Sequence, residues 1–329
     1  MIDTIYIEDG AENYPKAKNI LESYPKANVI PCKHYKEVFN PSGQSFRLQK
    51  KKPALILANQ TGKLVHPIPP SYGVGGTNNY YFSHLLNCLY DCRYCFLQGM
   101  YPSAHYVLFV NFEDFKQKIK KVTNKKTRSS WFFSGYDCDS LALESITGFA
   151  EHFLTFFNKL PNSWIELRTK SVATQVLEKM NPLSNAVVAF SFTPDEVSQQ
   201  IEHGVPPVSS RIKAMKKLAE QGWKLGLRID PLIHCQDFEH RYHKLFEEIF
   251  KAVPQVSIHS VSLGAFRMPS GFFKNIEKLY PEEPLLAGNW EKKDGMVAYK
   301  KEIESELKST AQNLILEHIN KNKLFTCET

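Results

Sequence analysis

The 329-residue sequence has no long apolar run. Its most apolar stretches, such as "PALILA" and "NAVVAFSF", fall far short of the roughly 18 residues a spanning helix needs. The N-terminus, "MIDTIYIEDG", lacks a basic segment followed by an apolar one, so a cytoplasmic protein with no membrane partner is expected. Repeats with a period of about 20 to 50 residues are absent, as are low-complexity tracts, which excludes solenoids and extended linkers. A disulfide framework is also missing: the seven cysteines are odd in number and three of them are clustered, a pattern that in a reducing compartment binds metal or does chemistry.

What is present suffices for a large core, since 43% of the residues are hydrophobic. The net charge of +7 permits a polyanionic partner without requiring one. The cations are bunched, with Arg47, Lys50, Lys51 and Lys52 in one group, "KQKIKKVTNKKTR" in a second and "WEKKDGMVAYKK" in a third. Each reads either as a solvated surface face or as part of a phosphate-binding surface.

Residues 1–76 read as an irregular N-terminal extension ending in the turn-rich "PIPPSYGVGGTNN". Short β-rich runs then alternate with helical segments: "YYFSHLL", "HYVLFVN", "WFFSGY", "WIELRTK", "AVVAFSF", "WKLGLRID" and "VSIHSVSLGAF". The apolar stripe Ile212, Met215, Leu218 and Ala219 predicts a helix over 208–221, stopped by Gly222. Strand and helix in regular alternation predict parallel βα units, and six or so of them predict a partial (β/α) barrel over 77–285 with its reactive residues at the C-terminal strand ends. The remaining 286–329 reads as a hairpin around Asp294 and Gly295 followed by a long helix.

Just after the first of these strands stands "NCLYDCRYCFLQ", with Cys88, Cys92 and Cys95 at spacings of four and three. A structural zinc site needs four protein ligands. No CxxC pair stands elsewhere to complete one; Cys32, Cys138, Cys235 and Cys327 are isolated, and Cys32 and Cys327 read as incidental. His234, Cys235 and Asp230 end "GLRIDPLIHC" and read as rim residues.

A CxxxCxxC motif after the first strand of a βα series resembles the radical S-adenosylmethionine superfamily. The resemblance implies a 4Fe-4S cluster held by three thiolates, whose fourth iron is open to S-adenosylmethionine, cleaved on reduction to a 5′-deoxyadenosyl radical. Further along, "CRYCFLQ", "HYVLFVNFEDF", "DSLALESITGFAEHF", "LRTKS", "FSFTPDEV", "MKKLAEQGWKLGLRIDPLI" and "FRMPSGFFKNIEKLYP" look like successive blocks of the spore photoproduct lyase family. That resemblance implies a lyase acting on DNA pyrimidine photoproducts, a C-terminal hairpin that wedges the duplex, and an electron donor such as flavodoxin or ferredoxin.

Carried over residue by residue, the resemblance makes Cys88, Cys92 and Cys95 the cluster ligands. Lys170, Ser191, Asp139 and Ser140 become cofactor contacts, the last two doubling as a helix N-cap, and Arg267 a phosphate contact. Two departures concern the hydrogen relay. The position of the family's donor cysteine, counted back from Asp139, holds Tyr136, with Cys138 two residues along; beside the third cluster cysteine Tyr94 is kept but Phe96 replaces the second tyrosine. Cys138, Tyr136 and Tyr94 are thus the candidates for hydrogen transfer. Alternatives are a radical reaction on RNA, a nucleotide or a peptide, or a nucleic-acid-binding protein whose cluster is structural or senses redox state.

Overall fold

A computed structural model describes residues 2–68, 72–126 and 128–327. Strands Asn78–Tyr81, Ser130–Ser134, Ser163–Thr169, Ala186–Ser191, Lys224–Leu232 and Ile258–Ala265 lie side by side in chain order and all parallel. Leu324–Thr326 adds a seventh parallel strand at one edge and His66–Pro67 an antiparallel one at the other. Helices such as Phe149–Phe157, Val208–Glu220 and Phe238–Ala252 cover one face through apolar stripes, among them Ile212, Met215 and Leu218 as expected. Among the described residues no helix is long and apolar enough to cross a membrane.

The other, concave face is unlike an ordinary core. Trp131, Phe133, Val187 and Ala189 make a small apolar floor, and above it lies a charged layer. Arg228 bonds Glu166 on the strand two places away, Nη2 to Oε2 at 2.7 Å and Nε to Oε1 at 3.1 Å. Both side chains are fully buried, and Gly226 and Ala189, side by side in register, leave room for the guanidinium.

The N-terminal residues correct the expectation of an irregular extension. Thr4–Glu8, Asn28–Cys32 and Leu55–Ala58 form a parallel sheet, joined by the helix Pro15–Ser23. These strands are only four or five residues long, and Asn28–Cys32 is a largely exposed edge carrying Pro31, so their periodicity is faint. A second correction concerns two segments expected in the barrel. Tyr106–Phe109 pairs with Leu55–Ala58, and Leu85–Leu86 pairs with Tyr106–Phe109. "YYFSHLL" is thus two strands in two sheets, and the chain between Tyr81 and Tyr106, cysteines included, hangs between them. The expected hairpin forms from Trp290–Lys293 and Met296–Tyr299, with Asp294 and Gly295 both left-handed, and Lys301–Leu316 is the expected helix.

Candidate active site

The C-terminal ends of the parallel strands open into a cavity of about 480 Å³. Cys88, Cys92 and Cys95 all line it, together with Tyr94, Tyr136, Cys138, Asp139, Lys170 and Ser191. Nine of the ten sequence candidates therefore share one cavity. The exception is Ser140, which is buried outside the lining, its hydroxyl 2.9 Å from that of Ser134.

The cysteine loop is clamped from three sides. Asp91 and Cys92 pair antiparallel with Glu202 and His203. Arg93 bonds Asp91 at 2.6 Å and stacks 3.5 Å over Tyr280. Lys50, from the N-terminal helix Phe46–Lys51, donates to the carbonyls of Cys88 at 2.6 Å and Tyr90 at 2.9 Å. Two other members of the basic group around Lys50 make surface ion pairs, Arg47 with Glu282 and Lys52 with Asp3. Lys50→Gln is expected to loosen this loop and speed iron loss to a chelator by about 10- to 100-fold, the usual cost of an outer-shell partner. Unchanged iron retention would contradict that.

Burial pushes the thiol of Cys88 up to about 12 and those of Cys92 and Cys95 upward as well, with Lys50 and Lys170 pulling the other way. Thiolates form in such a place only against a cationic partner, and iron is one. Among the described residues, no three Cys, His, Asp or Glu side chains converge as they would around a single ion. Three thiols lining one cavity, with no fourth ligand converging on them among the described residues, suit a polynuclear cluster with an open site better than a closed zinc shell.

Tyr94 is buried and donates to Glu202, which also pairs with Arg211 at 2.8 Å and lies 3.6 Å from Lys170. Burial raises the Glu202 carboxyl, but Lys170 and Arg211 outweigh it and hold the group down at about 2. Arg211 also bonds the carbonyl of Ser191 at 2.9 Å, so one ionic knot fixes Tyr94, Lys170 and the strand end bearing Ser191.

Asp139 accepts from Thr169 at 2.7 Å, from the Lys170 amide at 2.6 Å and from the Leu141 and Ala142 amides at 2.9 Å each. Its oxygens are so fully engaged that it positions Lys170 and caps a turn. The helix beyond starts only at Glu144. Gly135, at φ +80°, turns the chain so that Tyr136 points outward, half exposed, and Cys138 inward, 5% exposed. A Cβ at Gly135 would come within 2.7 Å of the Ser140 hydroxyl and 2.9 Å of the Arg168 carbonyl.

Several lining residues escaped the sequence reading. Cys327, read as incidental, is buried on the cavity wall near Asp230, brought there by the edge strand Leu324–Thr326. Arg168, Tyr81 and Tyr72 are further examples. Arg267 and Asp230 do line the cavity, paired at 3.1 Å. His234 faces a separate cleft with His240, His243 and Glu306.

A parallel half-barrel with three cysteines in the loop after its first strand, opening on a cavity at the strand ends, defines a protein of the radical S-adenosylmethionine type. Comparison narrows this. The family model described as spore photoproduct lyase matches residues 1–326, and the chain belongs to that family. It is 22% identical over 326 residues to the spore photoproduct lyase of Bacillus subtilis (strain 168) and 21% identical to that of Geobacillus sp. (strain Y412MC61), each match covering 94% of both chains. Among solved structures, a cysteine-to-serine mutant of spore photoproduct lyase superposes with a TM-score of 0.86 at 19% identity, covering 100% of this chain and 98% of the other. A double mutant of the lyase with bound AdoMet and dinucleoside spore photoproduct gives 0.85 over the same shares at 19% identity. Streptococcus suis SuiB bound to its precursor peptide SuiA gives 0.52 at 12% identity, over 77% of this chain and 49% of that one.

Proposed function

We propose that this protein is a radical S-adenosylmethionine enzyme that repairs a pyrimidine photoproduct in DNA. The observation that carries the reading is that the three loop cysteines open on the same cavity as Lys170, Ser191 and Cys138. Cys88, Cys92 and Cys95 would hold a 4Fe-4S cluster, which with S-adenosylmethionine supplies a 5′-deoxyadenosyl radical when reduced. The Lys170 ammonium, oriented through Glu202 and the Asp139 bond to its own amide, would meet the carboxylate of the methionine moiety. Ser191 offers a hydroxyl on the same rim.

Cys138 is the side chain best placed to return a hydrogen atom. Burial above all, then Cys88, Asp137 and Asp139, hold its thiol well above the ordinary range, which keeps the S–H intact. Tyr94 is engaged with Glu202, and Phe96 carries no transferable hydrogen.

The hairpin bears exposed Lys292 and Lys293, while Met296, just past its Asp294–Gly295 turn, lines the cavity, an arrangement suited to holding a duplex by its phosphates over the opening. We assign the protein to the cytoplasm, with flavodoxin or ferredoxin as electron source, and divide it into an N-terminal unit, barrel and C-terminal hairpin with helix. The sheet membership of Leu85–Leu86 and Tyr106–Phe109 carries the N-terminal unit past residue 76.

Anaerobic protein reconstituted with iron and sulfide, given dithionite and S-adenosylmethionine, should release 5′-deoxyadenosine and restore thymine in ultraviolet-irradiated DNA. Release without restoration would move the reading to another substrate, and no release would end it. Cys138→Ala is expected to keep 5′-deoxyadenosine release while thymine recovery falls by about tenfold or more, and unchanged recovery would transfer the donor role to another group.

A further inference from the structure

At the mouth of the cavity the aromatic side chains are arranged as a stack. Tyr81 lies between His66, at 5.0 Å and 20°, and Tyr136, at 4.5 Å and 29°. Phe96 follows, 5.6 Å from Tyr136 and tilted by 48°. Tyr136, Tyr81 and Phe96 all line the cavity. Tyr136 is stacked on Tyr81 and touches Phe96 at a tilt, yet it keeps 50% of its surface exposed, unusual for a tyrosine in contact with two other rings. Arg267, also on the lining, has its guanidinium over the Tyr72 ring at 5.2 Å and is paired with Asp230 at 3.1 Å.

An aromatic ring stacked on a neighbour and still half exposed has the chemistry of a nucleobase platform. A base leaving a duplex loses its stacking partners and needs a replacement, and any π-face provides one without sequence preference. We propose that Tyr136, backed by Tyr81 and His66, is the stacking platform for an unpaired pyrimidine at the cavity mouth. This rests on the proposed action on DNA and adds to it the subsite that receives the base. It also reassigns Tyr136. As a platform it works through its ring, and the phenolic hydrogen that a relay would need is dispensable.

The test is equilibrium binding of a fluorescently labelled, single-stranded oligothymidine to the purified full-length protein, with no S-adenosylmethionine or reductant, comparing Tyr136→Ala, Tyr136→Phe and wild type. Tyr136→Ala should weaken binding by about 5- to 150-fold, the range for loss of one base-stacking aromatic, and Tyr136→Phe should stay within about threefold of wild type. Both variants alter a half-exposed side chain, and near-wild-type melting temperatures would show that the fold is kept. Tyr136→Ala binding as tightly as wild type, or Tyr136→Phe losing as much as alanine, would overturn the platform while leaving the DNA reading intact. Wild-type protein that bound no oligonucleotide would overturn both.

Discussion

Cys92→Ala is expected to leave the reconstituted protein with less than about a hundredth of wild-type 5′-deoxyadenosine formation, a larger loss than the 10- to 100-fold typical of an outer-shell partner. Three thiols are already one short of a closed shell, so removing another leaves a cluster with two protein anchors. Cys92 is 5% exposed and its strand pairs with Glu202 and His203, so no solvent ligand or neighbouring side chain can easily replace it. Alanine at a small buried site preserves the backbone pairing, and the variant should therefore fold. Iron and acid-labile sulfide content, visible absorbance and 5′-deoxyadenosine release report the outcome. Cys88→Ala and Cys95→Ala should behave alike, whereas Cys32→Ala, on an exposed edge strand away from the cavity, should match wild type. A Cys92→Ala protein that kept its iron and cleaved S-adenosylmethionine would remove the basis of the assignment.

The parts of this site that could be read in advance are those whose meaning is local. The cysteine spacing is contained in eight residues, and the barrel strands announce themselves as apolar runs because both their faces are buried. Partners brought together by the fold left no such trace. Lys50 is 38 residues from Cys88, and nothing in "LQKKKP" distinguishes a lysine that donates to two loop carbonyls from its exposed neighbour Lys51. Cys327 reaches the cavity through a three-residue strand. "YVLF" was legible as a strand, yet its sheet was not, since a strand buried on both faces satisfies either sheet equally well. The charged layer was invisible for a related reason. Glu166 and Arg228 alternate with apolar residues, as on any strand with one polar face, and only the curl of the sheet turns that face inward.

That layer carries the second large effect, an expected loss of about 3–5 kcal/mol on Arg228→Met, the cost of leaving one member of a buried ion pair uncompensated. Arg228 makes two bonds to Glu166, two to Ser260 and one to the Leu227 carbonyl, all between 2.7 and 3.1 Å. Without it Glu166 keeps only Arg168, whose side chain is about one-third exposed. Glu166 also orients Arg168 on the cavity lining, bonding its Nε and Nη2 at 3.2 and 3.1 Å, so the charged layer reaches the site through Arg168. The pH dependence follows from the sign of the shift. Burial alone would raise the Glu166 carboxyl, but Arg228 and Arg168 outweigh it and hold it down at about 2, against 4.5 for a free glutamate. A depressed carboxylate stabilises the fold fully above the unfolded value and loses that contribution as pH falls from about 4.5 to about 2, here about 3 kcal/mol. Wild type and Arg228→Met should therefore differ most above about pH 5 and converge in acid, as measured by urea unfolding of the metal-free protein. Glu166→Gln combined with Arg228→Met removes both charges and should recover much of the single variant's loss. A double variant as unstable as the sum of the two singles would show that the pair is not coupled, and that the layer acts by packing instead of charge.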